Sequence, residues 1–203
     1  MKIGVNALFM IPGEVGGTET YLRRILVELP RLAPEHEFVI FANEENRNSL
    51  ARDLAEFANV SIIDTRVKAT SRLKRVLHEQ FVLPKVAAAQ KLDVLWNPGN
   101  VCPLLKHVCP YVTTIHDMQY ITHPEDFTRA GLFFMKHFTP MAISKSDAII
   151  TISEFSRQEI VKHTQAKVDR VHVVLSAVSK NYSDPLDYDF IKERKLALLH
   201  SVD

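Results

Sequence analysis

Short apolar runs alternate with amphipathic stretches along most of this 203-residue chain. The runs at 2–8 (KIGVNAL), 38–42 (FVIFA), 60–63 (VSII), 93–96 (DVLW), 111–115 (YVTTI), 148–152 (AIITI) and 171–175 (VHVVL) are rich in β-branched and aromatic residues and read as strands. Segments 18–29, 46–57, 71–90, 128–145 and 154–163 carry apolar positions at helical spacing. In the first of these, Tyr21, Leu22, Ile25, Leu26 and Leu29 make one stripe, with Thr18 placed to cap it and Pro30 and Pro34 to end or bend it. Near-continuous apolar strands separated by helices predict an α/β fold: a Rossmann-like, doubly wound, mostly parallel sheet of about seven strands with helices on both faces. From Asn181 the character changes. Ser183, Asp184, Pro185, Asp187 and Asp189 read as a polar linker, and a short helical pattern resumes at Phe190. One domain is expected over 1–180, with a linker and the start of a second unit over 181–203.

A doubly wound sheet takes ligands outside the carboxyl ends of its strands. Four loops follow strands here: Gly13–Thr18, Asn97-Pro98-Gly99-Asn100, His116-Asp117 and Ser153-Glu154. The twin glycines Gly16 and Gly17 open a helix whose free N–H groups and dipole suit an anion. They do not spell the dinucleotide fingerprint G-x-G-x-x-G. His116 ends an extended run, so its ring is expected to project from the strand tip and meet a sugar hydroxyl or a developing charge. A structural turn held by Asp117 is the competing account of the same residue. Ser153 is a natural N-cap, and Ser156 with Glu159 has the spacing of a capping box.

Composition narrows the classes. A net charge of +1 argues against a generic nucleic-acid binder, and no run approaches the ~20 apolar residues of a membrane span. Cys102 and Cys109 have neither zinc nor thioredoxin spacing and read as free thiols. His107, His116, Asp117, His123 and Asp126 crowd one stretch without a defensible ligand spacing, so no metal is expected. A cytoplasmic location follows from these readings. The basic stretch Arg66, Lys68, Arg72, Lys74 and Arg75 is either a solvated helix face or a peripheral contact with an anionic membrane at its inner face. Leu132, Phe133, Phe134, Met135 and Phe138 form a second apolar patch, core or cleft wall.

Taken in order, Gly16-Gly17, HEQFVLPKVAAAQKLDVLWNPGN, VTTIHD and KSDAIITISEFSRQEI resemble the N-terminal, acceptor-side domain of the GT-B glycosyltransferases of family 4, the group 1 retaining enzymes, and in particular their mannosyltransferase-like members. The resemblance implies half of a GT-B fold that works with a nucleotide-sugar as substrate, no cofactor and no metal. It puts Gly16 and Gly17 near the donor diphosphate, His116 near the anomeric centre, and Asn97 and Asn100 toward the acceptor. Asp117, Ser153 and Glu154 would complete the cleft. The donor domain with its E-x7-E motif has no counterpart here; Glu37 and Glu45 share the spacing but flank the second strand. The expected partners are a sugar acceptor and a separate donor-domain chain or a second copy, with no turnover by this chain alone. A non-catalytic glycan- or partner-binding protein stands as the alternative.

Overall fold

The computed structural model describes residues 1–177. Seven strands, Lys2–Asn6 (β1), Glu37–Ala42 (β2), Val60–Asp64 (β3), Val94–Asn97 (β4), Tyr111–Thr114 (β5), Ala148–Thr151 (β6) and Val171–Val173 (β7), form one sheet in the order β3-β2-β1-β4-β5-β6-β7. Every pairing is parallel. The linker expected from 181 lies outside the described residues.

Strand alternation divides the core between two faces. Phe38 and Ile40 pack with Val5 against Leu22 and Leu26 of the helix Gly17–Leu32 (α1) and Leu50 of Arg47–Asp53 (α2). Val39 and Phe41 face the other way, with Leu95 and Tyr111, onto Leu83 and Ala87 of Leu83–Ala89 (α4) and Ala142 of Arg129–Lys145 (α6). Ile149 sits farther along, under Ile143 of α6 and Ile160 of Glu154–His163 (α7).

Three expectations change at this level. The helix read over 71–90 is two, Arg72–Phe81 (α3) and α4, because Pro84 has no N–H to donate and its ring obstructs the carbonyl four residues back. α1 passes through Pro30 and ends at Leu32, with the Ala33 N–H closing on Leu29 O. Gly16, not Thr18, occupies the N-cap position of α1, and no side chain caps it. A short helix that no periodicity announced, Gln119–Thr122 (α5), follows β5. Both cysteines are free; burial pushes the Cys102 thiol up to about 12 and the Cys109 thiol up to about 11.

Candidate functional site

Strand order reverses between β1 and β4, the switch point outside whose carboxyl ends a doubly wound sheet has its ligand crevice. Its floor is made of amides. Asn6 Nδ2 donates to Asn97 Oδ1 at 3.2 Å and reaches Glu79 Oε1 at 3.5 Å, while Asn6 Oδ1 accepts the Leu8 N–H. Asn97 is fully buried and spends its own Nδ2 on Leu95 O. It belongs to the floor, and the expectation that it lines the cleft is corrected: its side chain bridges two adjacent strand ends instead of leaving them. Burial drives the Glu79 carboxyl above the ordinary range, against the lowering effects of Arg75 and the Asn6 bond.

The turn after β1 is held from beneath by two residues of the β2–α2 loop. Asn43 and Asn46 bond each other reciprocally, each amide N–H to the other's Oδ1, at 3.0 and 2.8 Å. Their Nδ2 groups then donate to Ala7 O, Leu8 O and Met10 O. On this base the chain reaches Gly16, whose φ of 59° is a left-handed value that L side chains resist. A Cβ at Gly17 would meet no atom within 4 Å. The N–H groups of Gly17 and Thr18 have no acceptor among the described residues, as expected for a first helical turn. Glu19 sits in that turn, taking the Gly13 N–H at 2.7 Å and pairing with Arg23.

One helical turn on, Tyr21 stands edge-on to His116, ring centroids 5.0 Å apart, and also to Trp96 at 6.4 Å. The glycine turn and the imidazole therefore share one rim. The ring does not project freely, however: His116 is 8% exposed, which corrects that expectation. The loop from β4 folds over the strand tip. Gly99 lies against Phe9 so closely that a Cβ there would come 2.5 Å from the ring, and Asn100, at φ 63°, turns its Oδ1 to the His116 N–H at 3.0 Å. His116 Nε2 bonds Pro98 O at 3.0 Å. Burial lowers the His116 pKa, only partly opposed by the Pro98 bond and the Asp117 charge, so the ring is neutral at pH 7. A carbonyl only accepts, so the proton is on Nε2 and Nδ1 presents a lone pair. Nδ1 has no partner among the described residues.

Beyond His116 lies a hollow of about 500 Å³ between the α5 segment and α7, lined by Asp117, Gln119, His123, Asp126, Phe155 and Glu159 among others. Asp117 is exposed and caps the Gln119 N–H. Ser153 and Glu154 do not line this hollow. Ser153 caps α7 by accepting the Ser156 N–H at 3.0 Å, and Glu154 turns outward to Arg157. The Ser156–Glu159 capping box does not form, since Glu159 pairs with Lys162 and His163. The five basic residues are divided: Arg72 lies over the Phe134 ring, Arg75 is half-buried, and Arg66, Lys68 and Lys74 line a separate groove. Among the described residues no three His, Cys, Asp or Glu side chains group to hold a metal ion, and no helix is long and apolar enough to cross a membrane.

The sequence profile of Glycosyltransferase Family 4 matches residues 15–181. The chain belongs to that family. Over 71 residues, 35% of this chain and 19% of the relative, it is 31% identical to O-antigen chain mannosyltransferase B of Escherichia coli. A glycosyltransferase of Rickettsia africae ESF-5 superposes at a TM-score of 0.55 with 14% identity, covering 100% of this chain and 50% of that one. A lipopolysaccharide outer core galactosyltransferase, WaaB, gives 0.51 at 12% identity over 88% of this chain and 46% of its own. A putative UDP-N-acetylglucosamine 2-epimerase of Listeria monocytogenes gives 0.59 at 13%, over 85% and 44%. The family-4 chain thus spans about half the length of these structures, and the fold it shares with them is one half of GT-B. Asn6, Asn43 and Asn46 organise the candidate site without having stood out in the sequence, and Tyr21 stood out only as part of an apolar stripe. The only available signal was a pair of asparagines three apart directly after an apolar strand.

Proposed function

We propose that this family-4 chain is the acceptor-side half of a retaining glycosyltransferase, which moves a sugar from a nucleotide-sugar to a glycan or lipid-linked acceptor. The observation that carries this reading is the open Gly17 turn at the head of α1, one helical turn from Tyr21, whose ring packs edge-on against the neutral His116. Unpaired N–H groups at the start of α1 would receive the donor diphosphate and stabilise it as it leaves. The bare Nδ1 of His116 would accept a hydrogen bond donated by a hydroxyl of the donor sugar, holding the anomeric carbon in place without taking the proton. A family-4 relative whose name says O-antigen chain mannosyltransferase favours a hexose donor and a polysaccharide acceptor. A donor-binding domain is needed to complete the site, and the chain alone should not turn over.

Gly17→Ala tests this directly. A Cβ meets no atom there, and alanine favours the helix by up to ~1 kcal/mol. The variant should therefore melt at or above the parent temperature. In a pair reconstituted with a donor domain, transfer from labelled nucleotide-sugar should fall about tenfold or more. Undiminished transfer, or robust transfer by the purified chain alone, would count against the reading.

A further inference from the structure

The hollow between α5 and α7 opens at the carboxyl ends of β5 and β6, since Asp117 and Met118 follow the first of these strands and Phe155 and Ser156 the second. In the strand order β1-β4-β5-β6 it lies on the other side of His116 from the glycine turn. The two flanks differ in charge. No Lys or Arg lines the hollow, and its one basic group is the imidazole of His123. Three carboxylates line it, and they are not equally free. Glu159 is spent on Lys162 and His163. Asp117 uses Oδ1 on the Gln119 N–H, and Asp126 uses Oδ2 on Gln119 Nε2 at 2.8 Å, which holds α5 to the short 3-10 helix Pro124–Asp126. Asp117 Oδ2, Asp126 Oδ1 and Gln119 Oε1 have no partner among the described residues. Next in the chain, Tyr120 is 1% exposed, and its O–H also bonds nothing among the described residues. Burial, and after it the Asp117 charge, pushes that phenol up to about 12. On the α7 side Phe155 is 70% exposed in the first turn, which the Ser153 cap fixes.

We propose that this hollow is a subsite for an uncharged sugar residue of the acceptor, with Phe155 against the ring and Asp117, Gln119 and Asp126 on its hydroxyls. That the sugar belongs to the acceptor rests on the glycosyltransferase reading above; that a sugar binds rests on the hollow. A pyranose presents C–H groups on one face and hydroxyls around its edge. An aromatic ring on one wall and unpaired oxygens on the other match both. Hydroxyls can donate, and a carboxylate oxygen makes a charge-assisted bond with each one it receives. A phosphate would instead meet two unpaired carboxylates with only His123 to offset them. The anion is thus suited to the glycine turn and the neutral polyol to the far flank, with His116 between them.

The test is saturation-transfer NMR of the purified chain with glucose, galactose and mannose, each beside its 6-phosphate. Binding of at least one neutral hexose is expected, with its 6-phosphate about tenfold weaker. Phe155→Ala should weaken the hexose about fivefold, with an unchanged circular dichroism spectrum because the ring is exposed. Asp117→Asn combined with Asp126→Asn keeps an oxygen for each Gln119 bond and removes both charges. The gap between hexose and 6-phosphate should then narrow, a change that a purely structural role would not produce. No binding of any of the three hexoses, equal binding of the 6-phosphates, or undiminished binding by Phe155→Ala overturns the proposal, whatever a reconstituted pair transfers. Hexose binding with these signatures supports the subsite even if such a pair transfers nothing, which would count against the transfer reading alone.

Discussion

At the scale of single residues, burial decides what the two most conspicuous ionisable groups can do. His116 is held neutral with its Nε2 proton committed to Pro98 O, which leaves Nδ1 able to accept a hydrogen bond. Its folded pKa lies below the ordinary 6.5. The stability it contributes is therefore present above pH 6.5 and is lost as pH falls through the folded value. Transfer by a reconstituted pair should be flat in its His116 dependence above neutrality and decline on the acid side. His116→Ala should cost about 2–4 kcal/mol of transition-state stabilisation, read as kcat/KM, with the fold retained. Glu79 has the opposite sign. Its pKa is raised by burial, so the fold keeps a proton that the unfolded chain releases above pH 4.5, and stability drops as pH rises from there. Glu79→Gln retains the acceptor for Asn6 and removes the ionisation. Melting temperatures measured from pH 5 to 8 should show the variant gaining on the parent as pH increases; a constant offset would mean that Glu79 is ionised in the fold.

At the scale of elements, the site is a set of loops fastened to one another by side-chain amides. The Asn43–Asn46 pair holds three carbonyls of the β1–α1 turn, those of Ala7, Leu8 and Met10, and both residues are fully buried. Asn46→Ala leaves several of those groups without partners, and a destabilisation of about 2–4 kcal/mol is expected in denaturant unfolding. The loss should exceed that of Asn100→Ala, whose residue is only half-buried. The seven strands were legible in the sequence because parallel strands covered on both faces need apolar residues throughout, and each run had them. The start of α7 was legible from local spacing, since Ser153 caps it by a side-chain bond; Thr128 caps α6 in the same way, although it had not stood out in the sequence. The break between α3 and α4 was written in Pro84 but masked by the unbroken apolar period around it. The roles of Asn97, Asn6 and Asn43 were not legible, because each depends on a neighbour 33 to 91 positions away that only sheet order brings close. His116 was identified correctly as a strand-end residue, yet its enclosure could not be foreseen. That enclosure comes from Tyr21 on α1 and from Pro98 and Asn100 on the loop after β4.

At the scale of the whole molecule, the reversal of strand order beside β1 brings the amide floor, the glycine turn and the imidazole to one end of a seven-stranded sheet. Two helical layers close the faces, and their buried side chains leave one helix, α3, with its apolar row turned outward.

After β7, an edge strand, the chain turns back toward α1. Val174, Leu175, Ser176 and Ala177 line a groove of about 490 Å³ together with Gly17, Tyr21 and Arg24 of α1. Ala177, the last of these residues, thus lies beside the glycine turn that opens α1. Tension or rotation applied at Ala177 would be felt first by α1, before it could reach the imidazole. A fluorophore attached at Thr20, on the same groove, would thus act as a strain gauge for whatever is fastened downstream.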